Sequence, residues 1–118
     1  MKDISETLEY KGQKYRLVFN INVLEEIQQE YGTFSAWLDK IVGEDITEPD
    51  IKAIKFAYLN MINEGIDIEN EETGGDRKPV TAKFVGRMFT EVGLEGMVNK
   101  LTKLAGDSNQ GGEDSKNE

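Results

Sequence analysis

The chain has 118 residues and a formal net charge of -9, with 23 Asp and Glu against 14 Lys and Arg, and it contains neither His nor Cys. This length suits one domain that can bury a modest core. The acidic excess argues against nucleic-acid binding, which depends mainly on basic side chains, and the missing Cys excludes disulfides and thiol chemistry. No apolar run approaches membrane-spanning length and no signal-peptide pattern is present, so a cytoplasmic protein is expected.

Residues 6–19 are predicted to form a β-hairpin. Two runs of strand-forming residues, 7–10 and 15–19, flank Lys11-Gly12-Gln13-Lys14, and a glycine between such runs is typical of a tight turn. Apolar residues alternate along both runs, which gives each strand one apolar face. Because an isolated hairpin is marginally stable in water, this face must pack on helices.

Four or five helices are predicted within residues 22–104. Asn22 is a candidate N-cap for the first helix, which Gly32 ends. Thr33 or Ser35 caps a short second helix that ends at Gly43. The apolar residues of this second helix, above all Trp37, are expected to anchor the core.

The longest predicted helix begins at Thr47, which is followed by Glu48 and Pro49, and ends at Gly65. Its apolar positions include Ile51, Phe56 and Leu59 and form a broad surface, which suggests a central helix packed on several sides. Residues 66–79 contain two glycines and a proline among acidic residues and are predicted to form an exposed loop.

Thr81 caps the next predicted helix, and Gly93 joins it to a last amphipathic segment. These two segments form a helical hairpin. Residues 106–118 contain no large apolar side chain, so nothing offsets the entropy of ordering them. The predicted organisation is a single globular domain over residues 1–105 and a disordered acidic tail over residues 106–118.

No catalytic, metal-binding or cofactor-binding residue is predicted. Without His, a nucleophilic Ser or Thr lacks its usual activating base. Asp67, Glu69 and Glu71 match the first positions of an EF-hand calcium loop, but Glu72 replaces the required Gly and Lys78 the bidentate Glu. These carboxylates are expected to be solvated. Metals that need imidazole or thiolate ligands are excluded by composition.

Four apolar residues near the C-terminal end are candidates for partner binding: Phe84, Met88, Phe89 and Met97. Met and Phe form adaptable surfaces for apolar partner segments. Their helical spacing fits a core role at least as well, and periodicity alone does not separate the two interpretations.

The ordered set of segments YKGQKYRLVFNINVLEEIQQEYG, FSAWLDKI, MINEGIDIENEE and VTAKFVGRMFTEVGLEGMVNKL resembles the tail assembly chaperones of long-tailed bacteriophages and prophages. The resemblance covers roughly residues 6–104. It implies a mainly α fold with a small N-terminal hairpin. It also implies a non-enzymatic protein that binds the tape measure protein while tail tube subunits assemble around it.

A chaperone of this kind would act in the cytoplasm of the host bacterium and would be missing from the mature virion. Its partners would be the tape measure and tail tube proteins, with no nucleic acid, membrane or cofactor, and self-association stays open. The alternative is an acidic inhibitor or DNA mimic of a mobile genetic element, which would act through its charged surface.

Overall fold

A computed structural model describes residues 4–42 and 49–117, with side chains described for residues 5–42 and 49–106. The elements are β1 (Ile4–Tyr10), β2 (Gln13–Phe19), α1 (Ile21–Tyr31), α2 (Phe34–Asp39), α3 (Ile51–Thr73), α4 (Ala82–Val92) and α5 (Leu94–Asn117). The predicted fold class, a mainly helical protein with an N-terminal β-hairpin, is confirmed.

The hairpin is closed by a two-residue turn at Lys11 and Gly12. Both residues are left-handed, with φ of 52° and 75°, as expected for a hairpin turn whose twist matches that of its strands. Tyr10 therefore pairs with Gln13 in the antiparallel ladder. The faces predicted from alternation are also observed, since Leu8 and Leu17 are both buried.

Helix α3 is the centre of the fold and contacts β2, α1, α4 and α5. Its buried residues are Ala53, Ile54, Ala57, Tyr58, Met61, Ile62, Gly65 and Ile66. The stripe recurs every three or four residues, as an amphipathic helix requires. The prediction of a central helix packed on several sides is therefore correct.

The predicted end of this helix at Gly65 is wrong, because α3 continues to Thr73 and ends at Gly74, which is left-handed with φ of 74°. Gly65 is instead the point where α3 meets β2. A Cβ at this position would overlap the carbonyl oxygen of Arg16 and lie 3.0 Å from its carbonyl carbon. Glycine is thus required here by a close tertiary approach, for which the local sequence gives no signal.

The predicted loop over residues 66–79 is accordingly shorter, and residues 74–81 return along α3. Two asparagines of α3 hold this return segment. Asn63 donates to the Val80 carbonyl (3.2 Å) and accepts from its amide (2.8 Å). Asn70 makes the same pair of bonds to Arg77, at 2.9 and 3.0 Å. An extended segment outside a sheet has no neighbouring strand to hydrogen-bond its backbone. Here the side-chain amides of α3 supply those hydrogen bonds instead.

The N-cap of α1 is Asn20 rather than the predicted Asn22. The Asn20 side chain accepts from the amides of Asn22 and Val23, so the helix begins two residues earlier. Of the two predicted caps of α2, Thr33 and Ser35, the cap is Thr33, which accepts from the Ala36 amide at 2.9 Å. Helix α2 ends at Asp39. The predicted terminator of that helix, Gly43, lies outside the described residues.

Asp50 is the N-cap of α3, accepting from the Ala53 amide at 3.2 Å. The predicted start at Thr47 is wrong, because α3 begins at Ile51 and residues 49 and 50, which precede it, are not helical. Thr47 itself lies outside the described residues. Thr81 caps α4, accepting from the Phe84 amide at 3.2 Å, and Gly93 follows its last residue. The helical hairpin predicted around Gly93 is therefore present as α4 and α5.

The core extends into α5 as far as Ala105, which is buried together with Leu101 and Leu104. Beyond it the backbone continues as helix to Asn117. Side chains are described only as far as Gly106. Packing therefore tests neither the predicted domain boundary at residue 105 nor the predicted disorder of residues 106–118. Both stay predictions.

Candidate partner-binding cleft

Three of the four predicted partner-binding residues lie in the core. Met88 and Met97 are fully buried, and Phe89 is 6% exposed. Phe89 packs edge-on against the ring of Tyr58, with centroids 5.2 Å apart. In this conformation these three side chains offer almost no surface to a partner.

Phe84, the fourth, is only partly buried and lies against the hairpin. Its ring is edge-on to Tyr10, with centroids 5.4 Å apart, and tilted against Tyr15 at 5.8 Å. It joins α4 to the hairpin in the same way that a core residue would. Partner binding by these four residues therefore stays a prediction, and one that requires α4 to move.

An open apolar cleft lies elsewhere, along the first two turns of α3. It has a volume of about 370 Å³, and its lining residues are Ile51, Lys52, Lys55, Phe56, Leu59 and Ala82. Ile51 is 50% exposed. From Ile51 to Leu59 an α-helix rises about 12 Å, so the cleft matches roughly two turns of a partner helix in length.

The walls of this cleft are fixed by packing beneath it. The Phe56 ring lies edge-on to Tyr31 of α1, with centroids 5.6 Å apart. Phe56 and Leu59 are partly buried against the core, so each offers one side to the core and one to the cleft. A floor whose side chains are already held by packing favours binding, because less conformational freedom is lost when a ligand arrives.

Three lysines lie in the lining of the cleft or next to it in sequence, in a protein that is acidic overall. Lys52 and Lys55 line it, and Lys83 is exposed beside Ala82. The Lys55 ammonium lies 3.3 Å from the place where a Cβ would stand on Gly86 of α4, so the missing side chain makes room for it. Among the described residues, no carboxylate oxygen lies within 4 Å of these three ammonium groups.

A second cleft, between α1 and α3, is polar and acidic. It has a volume of about 260 Å³ and includes Glu25, Glu26, Glu64 and Asp67 in its lining. Glu64 accepts hydrogen bonds from the side-chain amides of Asn20 (2.8 Å) and Asn22 (2.9 Å), which ties the start of α1 to α3.

The calcium interpretation fails for a second reason, because Asp67, Glu69 and Glu71 lie on α3 rather than in a loop. Glu69 forms an ion pair with Arg77 at 3.5 Å. Within the described residues no group of three acidic side chains could hold a metal ion.

One polar cluster is partly enclosed between the hairpin and the C-terminal helices. Glu6 is on the core-facing side of β1, opposite Leu17, and pairs with Lys100 at 3.5 Å. The Tyr58 hydroxyl donates to the Met97 carbonyl at 2.7 Å. Burial, and then the charge of Glu6, raise the pKa of Tyr58 well above its ordinary value. A tyrosine kept protonated in this way serves as a structural donor and is poorly suited to act as a base.

Three residues of the apolar cleft, Ile51, Phe56 and Leu59, are predicted from the sequence to lie on the packed surface of a central helix. The available signal was the width of the apolar surface on α3, because a helix buried on one face needs a narrower stripe. Nothing in the sequence indicates which part of that surface the described residues leave uncovered.

Within residues 4–42 and 49–117, no helix has the length and apolar character needed to cross a membrane. No protein-family profile, curated protein or solved structure matches this chain.

Proposed function

We propose that this protein is a tail assembly chaperone of a long-tailed bacteriophage or prophage, which binds the tape measure protein and keeps it soluble while the tail tube assembles. The observation that supports the proposal is the open cleft formed by Ile51, Phe56, Leu59 and Ala82. A tape measure has apolar helical stripes before the tube covers it, and a helix laid in a groove is a common way to cover such a stripe.

The net charge of -9 is consistent with this role. A chaperone that occupies many sites along one long partner would bring its copies close together. Mutual repulsion between acidic copies keeps such a complex soluble. In this proposal the protein acts in the host cytoplasm, contacts the tape measure and tail tube proteins, and is missing from the mature virion.

The test is capture of the tape measure protein encoded beside this gene, after co-expression with the full chain. The variant Ile51→Asp places a charge in the cleft at a half-exposed position. Its matched control is Ile21→Asp, since Ile21 is also the first residue of a helix and is 61% exposed, but it lies outside the cleft. Both variants should fold.

We expect the wild-type chain and Ile21→Asp to retain the tape measure, and Ile51→Asp to bind it roughly tenfold more weakly, the loss expected when one apolar contact is replaced by a charge. Capture should persist at high salt because apolar contacts are not screened. If the wild-type chain does not retain the adjacent tape measure protein, the proposed function is wrong.

The alternative, an acidic inhibitor or DNA mimic, draws support from the acidic cleft between α1 and α3. Glu25, Glu26, Glu64 and Asp67 gather there and could face a basic, nucleic-acid-binding surface. Binding of this kind would weaken steeply with salt. It would also depend on the acidic cleft and be indifferent to Ile51→Asp, so the same experiments separate the two functions.

A further inference from the structure

We infer that the occupant of the apolar cleft is an amphipathic helix whose apolar residues are flanked by acidic ones. This inference deepens the proposed function by specifying the chemistry of the segment that the cleft binds. The apolar floor consists of Ile51, Phe56, Leu59 and Ala82, and the three lysines Lys52, Lys55 and Lys83, here called the lysine collar, lie in or beside it.

The strongest observation for this inference is the position of the Lys55 side chain. This side chain is only partly exposed and lies over Gly86, between α3 and α4. Lysine is almost never fully buried without a partner, and Lys55 is partly buried. Within the described residues none stands within 4 Å of its ammonium group, so an acidic side chain supplied by the ligand would meet an unpaired charge beside an apolar surface.

Three basic side chains elsewhere in the described structure form ion pairs with described acidic ones. Arg16 pairs with Glu72 at 3.3 Å, Arg77 with Glu69 at 3.5 Å and Lys100 with Glu6 at 3.5 Å. The lysine collar differs from these three because it adjoins exposed apolar surface. Charged groups at the rim of an apolar site set the orientation and choice of partner more than they add affinity.

A second copy of the chain is a poor occupant. A symmetric dimer through this face would bring each collar close to its own counterpart, because a two-fold interface uses the same patch on both subunits. Like charges would then meet in a partly dehydrated site. The overall charge of -9 opposes an acidic partner only weakly at physiological salt, where charges separated by more than about 8 Å are largely screened.

The experiment uses two synthetic helical peptides of about 15 residues, the length at which an isolated helix begins to form. Both carry the same leucine stripe, flanked by Glu in one and by Lys in the other. Binding to the full chain is measured by fluorescence anisotropy. At about 0.15 M salt, where the overall charge of the chain is largely screened, we expect the Glu-flanked peptide to bind at least tenfold more tightly, and at about 1 M salt the difference should fall to a few-fold.

The charge-reversal variant Lys52→Glu/Lys55→Glu should abolish or invert this preference. Its matched control is Lys11→Glu/Lys103→Glu, which makes the same change in net charge at exposed lysines of the hairpin turn and α5. Circular dichroism establishes that both are folded. Equal binding of the two peptides by the wild-type chain, or an unchanged preference in Lys52→Glu/Lys55→Glu, would overturn the inference.

Two further outcomes would also overturn it. If neither peptide binds, the cleft is not open to a helix of this kind. If sedimentation shows a dimer that Ile51→Asp dissociates, the occupant is a second copy. The proposed function is tested separately. If the chain retains the tape measure but binds both peptides equally, only the inference is wrong. If it prefers the Glu-flanked peptide but does not retain the tape measure, only the proposed function is wrong.

Discussion

The close contact between Gly65 and β2 leads to the sharpest prediction. In most helix interiors, Gly→Ala stabilises by about 0.5–1 kcal/mol, since alanine has the higher helix propensity. At residue 65 the new methyl group would overlap the Arg16 carbonyl oxygen and lie 3.2 Å from the Arg16 Cβ. Neither backbone can yield unless α3 and β2 separate.

Overpacking of this kind costs about 1–3 kcal/mol and occasionally more. After subtracting the gain in propensity, we expect Gly65→Ala to lower the free energy of unfolding by about 1–2 kcal/mol. Urea denaturation followed by far-UV circular dichroism measures this change. A thermal melt should show a fall of several degrees, since about 1 kcal/mol corresponds to roughly 4 °C for a domain of this size.

Two other helical glycines serve as matched controls. At Gly86 a Cβ would meet only the mobile end of Lys55, with Nζ at 3.3 Å, and at Gly96 it would meet nothing within 4 Å. Alanine should be neutral or stabilising by up to about 1 kcal/mol at both positions. If Gly65→Ala proves as stable as either control, the contact between α3 and β2 is not what requires glycine.

Two further predictions concern polar contacts. Tyr58→Phe removes the donor to the Met97 carbonyl and should cost about 1–2 kcal/mol. Because the pKa of Tyr58 is raised in the folded protein, the unfolded chain loses this proton above pH 10.0 while the folded chain keeps it. The free energy of unfolding of the wild type should therefore fall more steeply with rising pH than that of the variant. Equal pH dependence of the two proteins would contradict this. Asn20→Asp keeps the capping oxygen but replaces the donor to Glu64 by a carboxylate, and should cost about 1 kcal/mol in a thermal melt. Adding Glu64→Gln should restore most of that loss, and a failure to do so would place the cost elsewhere.

Features with a local cause were predictable from the sequence. The hairpin follows from alternation around Gly12, whose left-handed conformation suits glycine. The starts of α2 and α4 follow from Thr33 and Thr81, whose hydroxyls cap the helices that come directly after them. Each of these signals lies within a few residues of the structure it specifies.

Features with a distant cause were not predictable. Gly65 looks like a helix end unless the neighbouring strand is known. Asn20 and Asn22 are both suitable caps, and the end of β2 at Phe19 decides between them. Met88 and Ile51 are both apolar helical residues, yet one is buried and the other half exposed, because that difference depends on which helices arrive to cover them.

The central position of α3 has a consequence for folding during synthesis. β1, β2, α1 and α2 are complete before Ile51 is added to the chain, but the hairpin and α1 pack against α3. At about 5–20 residues per second, a nascent chain spends seconds with these elements made and their main packing surface missing. During that interval Leu17 and Ile27, which are fully buried in the folded protein, remain accessible to water. The N-terminal elements can therefore complete their packing only after α3 has been synthesised.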